Sequence, residues 1–327
     1  MTRPRIFVTQ PVAESALARL RAVADVEVNP DSSRVPAKSV LIEGVKRNDI
    51  LFSLLHDVVD KEVLAANPKL RAVNSMVITP DHIDVAEATR LGIPVTNIPA
   101  VVTDATADIA FGLMLAVGRR IVEGDRLFRG GMYPGSQSNH LVGAGVSGRT
   151  LGLIGGGRIG QAVARRARGF DMTVLYCDPK RLPAETEQKI GMTHVTQDEL
   201  LAQADYVSLH VQLASETRHL MSTAQFAKMK PSAFVINTSR GPVIDEAALV
   251  KALQQGVIAG AGLDVYEFEP KVSPELVAMP NVVLTPHLGS AVFALRENMA
   301  HVVTDNVLAI IEGRMPPNCI NPQVLGK

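Results

Sequence analysis

One ten-residue stretch constrains this chain more than any other. Leu151-Gly152-Leu153-Ile154 is a continuous apolar run that leads straight into Gly155-Gly156-Gly157-Arg158-Ile159-Gly160. After it, Gln161 to Phe170 has helical spacing, with Ile159, Val163 and Ala167 on one face. A strand, a tight glycine turn and a helix in that order form the G-x-G-x-x-G arrangement that cradles a dinucleotide. Gly155 permits the turn, Gly157 lets the backbone approach a pyrophosphate, and Gly160 lets helix and strand pack closely. The N–H groups at the helix start then face the phosphates, and Arg158 and Ile159, between the glycines, are candidate cofactor contacts.

A second strand, Thr173–Cys177, ends at Asp178, at about the twenty-residue spacing expected of an acid that binds ribose. A carboxylate there accepts hydrogen bonds from the ribose and repels a 2′-phosphate, which favours NAD; the alternative is a solvated loop acid. Lys180 and Arg181 follow immediately, and if they fold back they can accept a 2′-phosphate, so NADP stays open.

The rest of the chain repeats the same alternation. Strands are expected at Arg5–Thr9, Asp49–Ser53, Leu70–Asn74 and Pro94–Asn97, with helices at Val12–Ala24 and Asp81–Leu91. A long helix is expected from Thr103 to Arg120, with Ala107, Ala110, Leu113, Met114 and Val117 on one face, followed by loop from Phe128 to Gly148. A second series has strands near Thr150–Ile154, Thr173–Cys177, Asp205–Leu209, Ala233–Asn237, Ile258–Leu263 and Val282–Thr285, then a helix from Ala291 to Glu312. The pattern predicts an α/β protein with parallel sheets. Its 327 residues suit two domains.

Composition narrows the function. The 33 basic residues balance 33 acidic ones, so no general field draws nucleic acid or an anionic membrane, and an anionic ligand must be caught locally. The two cysteines, Cys177 and Cys319, lack a metal-ligand spacing, and no metal site is expected. The longest uncharged apolar run, Ile109 to Gly118, is far short of the roughly 18 residues that span a bilayer. The N-terminus reads as a strand rather than a signal core, and a cytoplasmic location is expected. With no tryptophan and few aromatic residues, stacking platforms for bases are not expected either.

Polar groups cluster at three further strand ends. Asn237-Thr238-Ser239-Arg240-Gly241 follows one strand, Asp264-Val265-Tyr266-Glu267-Phe268-Glu269-Pro270 another, and Thr285-Pro286-His287-Leu288-Gly289-Ser290 the last. In open α/β sheets the carboxyl ends of the strands are where ligands bind. Singly, Arg240, Glu269 and His287 each have an ordinary structural reading. Together they describe a site.

These residues, with Ile93–Ala110, resemble the D-isomer-specific 2-hydroxyacid dehydrogenase family over nearly the whole chain, and are most similar to its glyoxylate/hydroxypyruvate reductase branch. The resemblance implies two Rossmann-like doubly wound parallel-sheet domains with the active site in the cleft between them. Residues 1–100 and 290–327 would form a discontinuous substrate-binding domain, and residues 101–289 the NAD-binding domain. It implies that Arg240 clamps the substrate carboxylate and polarises its 2-oxo group, and that His287 is the proton donor in reduction. Glu269 is implied to pair with His287 and stabilise its charged form; the formate dehydrogenases of this superfamily resemble the chain but carry glutamine there. Thr103, Thr238, Ser239 and Gly289 are implied cofactor contacts. Asp264 is implied to hold the nicotinamide carboxamide, against the alternative of a strand-end capping acid.

One departure concerns the substrate. Family members usually carry a glycine turn before an Asp-x-Ile-Asp segment; here Asp81-His82-Ile83-Asp84 is preceded by Met76-Val77-Ile78-Thr79-Pro80. Either this turn has ordinary φ angles or its carboxylate cradle is altered, with Val77, Ile78 and Thr79 shaping the pocket. Leu54, with Leu55, would line the same pocket or be a simple core leucine. The expected activity is NAD(H)-dependent interconversion of a small 2-oxo acid, glyoxylate or hydroxypyruvate, and its D-2-hydroxy acid. Alternatives are 2-ketogluconate, D-lactate or 3-phosphoglycerate dehydrogenase, or an NAD(H)-sensing corepressor-like protein. By the same resemblance a homodimer is expected, built on the 103–148 region, with Met132-Tyr133 reaching the partner's active site.

Overall fold

The apolar runs of the sequence become parallel strands buried on both faces, as helices on either side of a sheet require. The computed structural model describes residues 3–326. The chain divides into two units, Met1–Val101 with Ala291–Lys327, and Val102–Ser290.

In the first unit the strands are β1 (Arg5–Val8), β2 (Asp25–Val28), β3 (Ile50–Ser53), β4 (Ala72–Ser75) and β5 (Val95–Thr96). They form one all-parallel sheet in the order β2-β1-β3-β4-β5. The order reverses direction between β1 and β3, a switch point of the doubly wound kind. The long helix Phe293–Ile311 returns the chain to this unit and packs against β4 and the helix Glu14–Val23.

In the second unit the strands are β6 (Thr150–Ile154), β7 (Thr173–Cys177), β8 (Met192–His194), β9 (Tyr206–Leu209), β10 (Phe234–Asn237), β11 (Gly260–Leu263) and β12 (Val282–Leu284). Their order is β12-β11-β10-β9-β6-β7-β8, all parallel, with the switch point between β6 and β9. The helix Thr103–Gly118 lies across β10 and β11, and Ala107, Ala110, Leu113, Met114 and Val117 are all buried beneath it.

Three local differences from the sequence reading have physical causes. The long helix stops at Gly118 rather than Arg120, because Arg120 adopts a left-handed φ of 54° that starts a separate helix, Ile121–Arg129. Strands β2 and β8 were not expected. Both are sheet edges, and residues such as Asp25, Glu27 and His194 suit a strand exposed along one side but give no apolar run to read.

Candidate active site

The second unit aligns its strand ends in one row. Cys177, Ile154, Leu209, Asn237, Leu263 and Leu284 are successive ladder partners across β7, β6, β9, β10, β11 and β12. The next residue of each strand therefore stands on the carboxyl edge of the sheet: Asp178, Gly155, His210, Thr238, Asp264 and Thr285. Neighbouring strands are about 4.8 Å apart, so segments distant in sequence become side-by-side neighbours.

After β10, Asn237 shapes the turn. Its buried Oδ1 accepts hydrogen bonds from the Ser239 N–H (3.0 Å) and hydroxyl (2.8 Å), and its Nδ2 donates to the Arg240 carbonyl (3.0 Å). The Arg240 guanidinium in turn donates to the Ser239 carbonyl at 2.8 Å. Gly241 then passes so close to the next loop that a Cβ would lie 1.7 Å from the Tyr266 carbonyl oxygen. Only glycine allows the Arg240 and Glu269 loops to meet backbone to backbone.

After β11, Asp264 is 1% exposed and both its oxygens are engaged. Oδ1 accepts from the Thr285 hydroxyl (2.6 Å) and the Leu288 N–H (2.7 Å), and Oδ2 from the Gly289 N–H (2.8 Å). Burial pushes this carboxyl upward, against the pull of those hydrogen bonds and of His287. The Asp264 backbone carbonyl also accepts from the His287 N–H at 3.0 Å. Asp264 thus holds the 285–289 loop directly, the strand-end role left open in the sequence. Tyr266 adds to the grip, its hydroxyl donating to the Thr285 carbonyl at 2.8 Å. Thr106 closes the far side, donating to the Gly289 carbonyl at 3.1 Å.

Within this frame His287 has a left-handed φ of 54°, an uncommon conformation for a non-glycine residue and one that persists only where surrounding bonds enforce it. Its Nδ1 lies 3.0 Å from Glu269 Oε2, while Glu269 Oε1 accepts from the Tyr266 N–H at 2.9 Å. Both side chains are partly buried. A histidine oriented by a carboxylate in this way presents its other ring nitrogen for proton transfer.

The glycine turn fits a dinucleotide. Gly155 has φ 107°, and a Cβ at Gly160 would lie 2.2 Å from the Gly155 carbonyl oxygen, whereas a Cβ at Gly157 would meet nothing within 4 Å. The helix Arg158–Ala167 begins at Gly157 with no side-chain cap and no acid in its first turn, which leaves a positive helix end for an anion. Arg158 is exposed there and Ile159 half-buried. Along the same edge, the buried Thr238 hydroxyl has no hydrogen-bond partner, a polar group suited to a ligand. Thr103 opens the helix Thr103–Gly118.

Asp178 stands at the end of β7 beside the glycine turn. Its Oδ2 accepts from the Gly156 N–H and its Oδ1 from the Lys180 N–H, both at 2.9 Å. Arg181 is turned the other way, making two 2.9 Å bonds to Glu187, which also accepts from the Tyr176 hydroxyl at 2.7 Å. Arg181, then Tyr176, hold the Glu187 carboxyl down at about 2.

The residues expected to shape the substrate pocket lie in the first unit. Val77 is buried, while Leu54, Ile78 and Thr79 are half-buried. None of Val77, Ile78 and Thr79 is left-handed, so the turn has ordinary φ angles without glycine. The Val77 carbonyl accepts from the Ile98 N–H (2.9 Å), the Ile78 carbonyl from Asn97 (2.6 Å), and the Thr79 hydroxyl donates to Asp81 (3.2 Å). Leu54 donates its N–H to the buried Asp57, which also holds Thr9.

Sequence reading placed Asn237, Gly241, Tyr266 and Thr285 within the strand-end segments, and Thr106 within the segment before them, but gave none of them a role. Asn237 shapes its own turn, whereas Thr106, Gly241, Tyr266 and Thr285 act through contacts with segments distant in the chain, which local pattern does not show.

Residues 111–289 match the family described as D-isomer specific 2-hydroxyacid dehydrogenase, NAD binding domain. The chain is 46% identical over 327 residues to a glyoxylate reductase of Thermococcus litoralis, covering 99% of this chain and 98% of that protein. Among solved structures it is similar to a glyoxylate reductase from Paecilomyes thermophila (32% identity, TM-score 0.82, covering 99% of this chain and all of that one). An NADPH-dependent glyoxylate/hydroxypyruvate reductase from Sinorhizobium meliloti, in complex with NADP and malonate, matches at 31% identity and TM-score 0.80, covering 98% and 97% of the two chains.

Proposed function

Because the chain belongs to the D-isomer specific 2-hydroxyacid dehydrogenase family, we propose that it reduces a small 2-oxo acid, glyoxylate or hydroxypyruvate, to the corresponding 2-hydroxy acid with NADH. The observation that carries this reading is the His287–Glu269 pair, 3.0 Å apart, on the same sheet edge as Arg240 and the glycine turn. When bound, the reduced nicotinamide supplies hydride to the carbonyl carbon. The chain supplies the rest. Arg240 offers a planar fork matched to the substrate carboxylate and draws electron density from the adjoining carbonyl. His287 delivers a proton from Nε2 to the developing alkoxide while Glu269 keeps Nδ1 engaged.

Gly155, Gly157 and Gly160, with the N–H groups of Arg158 and Ile159, would hold the pyrophosphate. Thr103, Thr238, Ser239, Asp264 and Gly289 would surround the nicotinamide end. NAD is favoured over NADP by Asp178 at the ribose position and by the commitment of Arg181 to Glu187. The test is initial rates of NADH and NADPH oxidation across glyoxylate, hydroxypyruvate, pyruvate, 2-ketogluconate and phenylpyruvate. Fast turnover of glyoxylate or hydroxypyruvate with NADH, lost in His287→Ala, is expected. Activity confined to phenylpyruvate, or none with NADH still bound, overturns the reading.

A homodimer belongs to the same reading. The helix Ile121–Arg129 buries none of its residues, and Ile121, Phe128, Met132, Tyr133 and Val142 are all more than half exposed. An apolar face of this kind marks a protein contact. Phe128→Asp with Tyr133→Asp should give monomers in sedimentation; a doubly substituted monomer with full activity would remove Met132-Tyr133 from any partner's site.

A further inference from the structure

Glu246 is a buried carboxylate outside the proposed proton relay, yet it holds both ends of the loop that carries Glu269. It is the first residue of the helix Glu246–Gln254, where Asp245 already caps the helix by accepting from the Ala248 N–H. Glu246 is therefore not needed as a cap, and at 4% exposure its side chain turns inward. There Oε2 accepts from the Glu267 N–H at 3.0 Å, while Oε1 accepts from the Ser273 N–H at 3.0 Å and the Ser273 hydroxyl at 2.5 Å. One carboxylate thus joins Glu267, two residues before Glu269, to Ser273, the residue that precedes the helix Pro274–Ala278.

The clasp is reciprocal. Glu267 Oε2 accepts from the Glu246 N–H at 3.0 Å, and Glu267 Oε1 is held by His219 at 2.6 Å, with Arg218 at 3.6 Å. Between the two anchors, Phe268, Pro270 and Lys271 are exposed, and the Lys271 N–H returns to the Phe268 carbonyl at 2.9 Å. The tip of the loop thus faces solvent and its base carries the order. Glu269 lies inside this loop, bonded to the Tyr266 N–H and to His287.

We propose that Glu246 is a positioning residue for the Glu269–His287 pair, clamping residues 267 and 273 so that the Glu269 carboxylate stays on Nδ1. The inference rests on the proton relay proposed above. A glutamine at this position keeps the volume but sets an amide NH2 against one of the backbone donors, so one end of the clasp must open.

The experiment compares wild type, Glu246→Gln, Glu269→Gln and the double variant of the full chain with NADH and glyoxylate. A misplaced relay should lower kcat by about ten- to a hundredfold in Glu246→Gln. NADH affinity, read by fluorescence titration, should stay within about twofold, because the glycine turn is untouched. The pH profile of the reduction rate should shift in the same direction as in Glu269→Gln. In the Glu269→Gln background, adding Glu246→Gln should cost less than about twofold, since both act through one group. An unmoved pH profile, or losses that multiply in the double variant, overturns the inference. Should Glu246→Gln fail to fold, Ser273→Ala, which removes only the hydroxyl bond, must move the profile the same way by less. If Glu269→Gln itself leaves the profile unmoved, the relay reading fails; if it moves the profile and Glu246→Gln does not, this inference alone fails.

Discussion

His287 Nδ1 and Glu269 Oε2 lie 3.0 Å apart although eighteen residues separate them, because β11 and β12 are adjacent parallel strands whose ends share one ladder rung. The pair is held from both sides. Asp264 fixes the histidine loop and Tyr266 fixes the glutamate.

Removing either member should be costly in different ways. His287→Ala is expected to lower kcat for glyoxylate reduction by about 10²–10⁴-fold, the usual contribution of a positioned acid. Glu269→Gln should retain more activity but change the pH profile of the rate, because Nδ1 loses its carboxylate partner. Stopped-flow or steady-state rates across roughly pH 5–10 measure both.

Coenzyme choice should respond to a residue outside the binding edge. Glu187→Gln releases Arg181 from its two carboxylate bonds. The kcat/KM ratio of NADPH to NADH is expected to rise by about tenfold, the worth of roughly one charge-assisted hydrogen bond to a 2′-phosphate. An unchanged ratio would show that Arg181 cannot reach the ribose end.

Gly241→Ala tests the meeting of the two loops. Its Cβ would overlap the Tyr266 carbonyl carbon at 1.9 Å, and backbone on both sides must yield. We expect a loss of about 1–3 kcal/mol in urea unfolding, with activity falling further because Arg240 and Glu269 are both displaced. Gly157→Ala, whose Cβ meets nothing within 4 Å, should instead leave stability close to wild type and weaken NADH binding.

Acid stability carries a separate signature. The Glu187 carboxyl is held at about 2 against an ordinary 4.5, chiefly by Arg181 and then by Tyr176. A carboxyl depressed on folding stabilises the native state above its unfolded pKa and loses that contribution as pH falls through the folded one. The Tm deficit of Glu187→Gln should therefore be full above pH 4.5 and shrink towards pH 2. Calorimetry at pH 7, 4 and 3 (values chosen to bracket roughly that window) would show it. A deficit independent of pH would assign the effect to packing.

Much of this molecule was legible in one dimension. The run Leu151–Ile154 into Gly155–Gly160 is a local signal, because a buried parallel strand must be apolar throughout and a phosphate turn must be glycine. The apolar face of the helix Thr103–Gly118 was legible for the same reason, its burial following directly from helical spacing. Arg240, Glu269 and His287 could be singled out because each follows a readable strand.

Tertiary structure decided what joins them. Only the ladder row from Cys177 to Leu284 places Thr238, Asp264 and Thr285 along one edge. Only packing turns Asp264 and Glu246 inward onto loops that local sequence does not couple. Arg181 shows the difference most plainly. Its place after Asp178 suggests a phosphate ligand, and its fold neighbour Glu187 takes it away. Residue type and spacing determine which backbone elements form. Hydrogen bonds between strand ends, which need the sheet to be assembled first, determine which side chains meet.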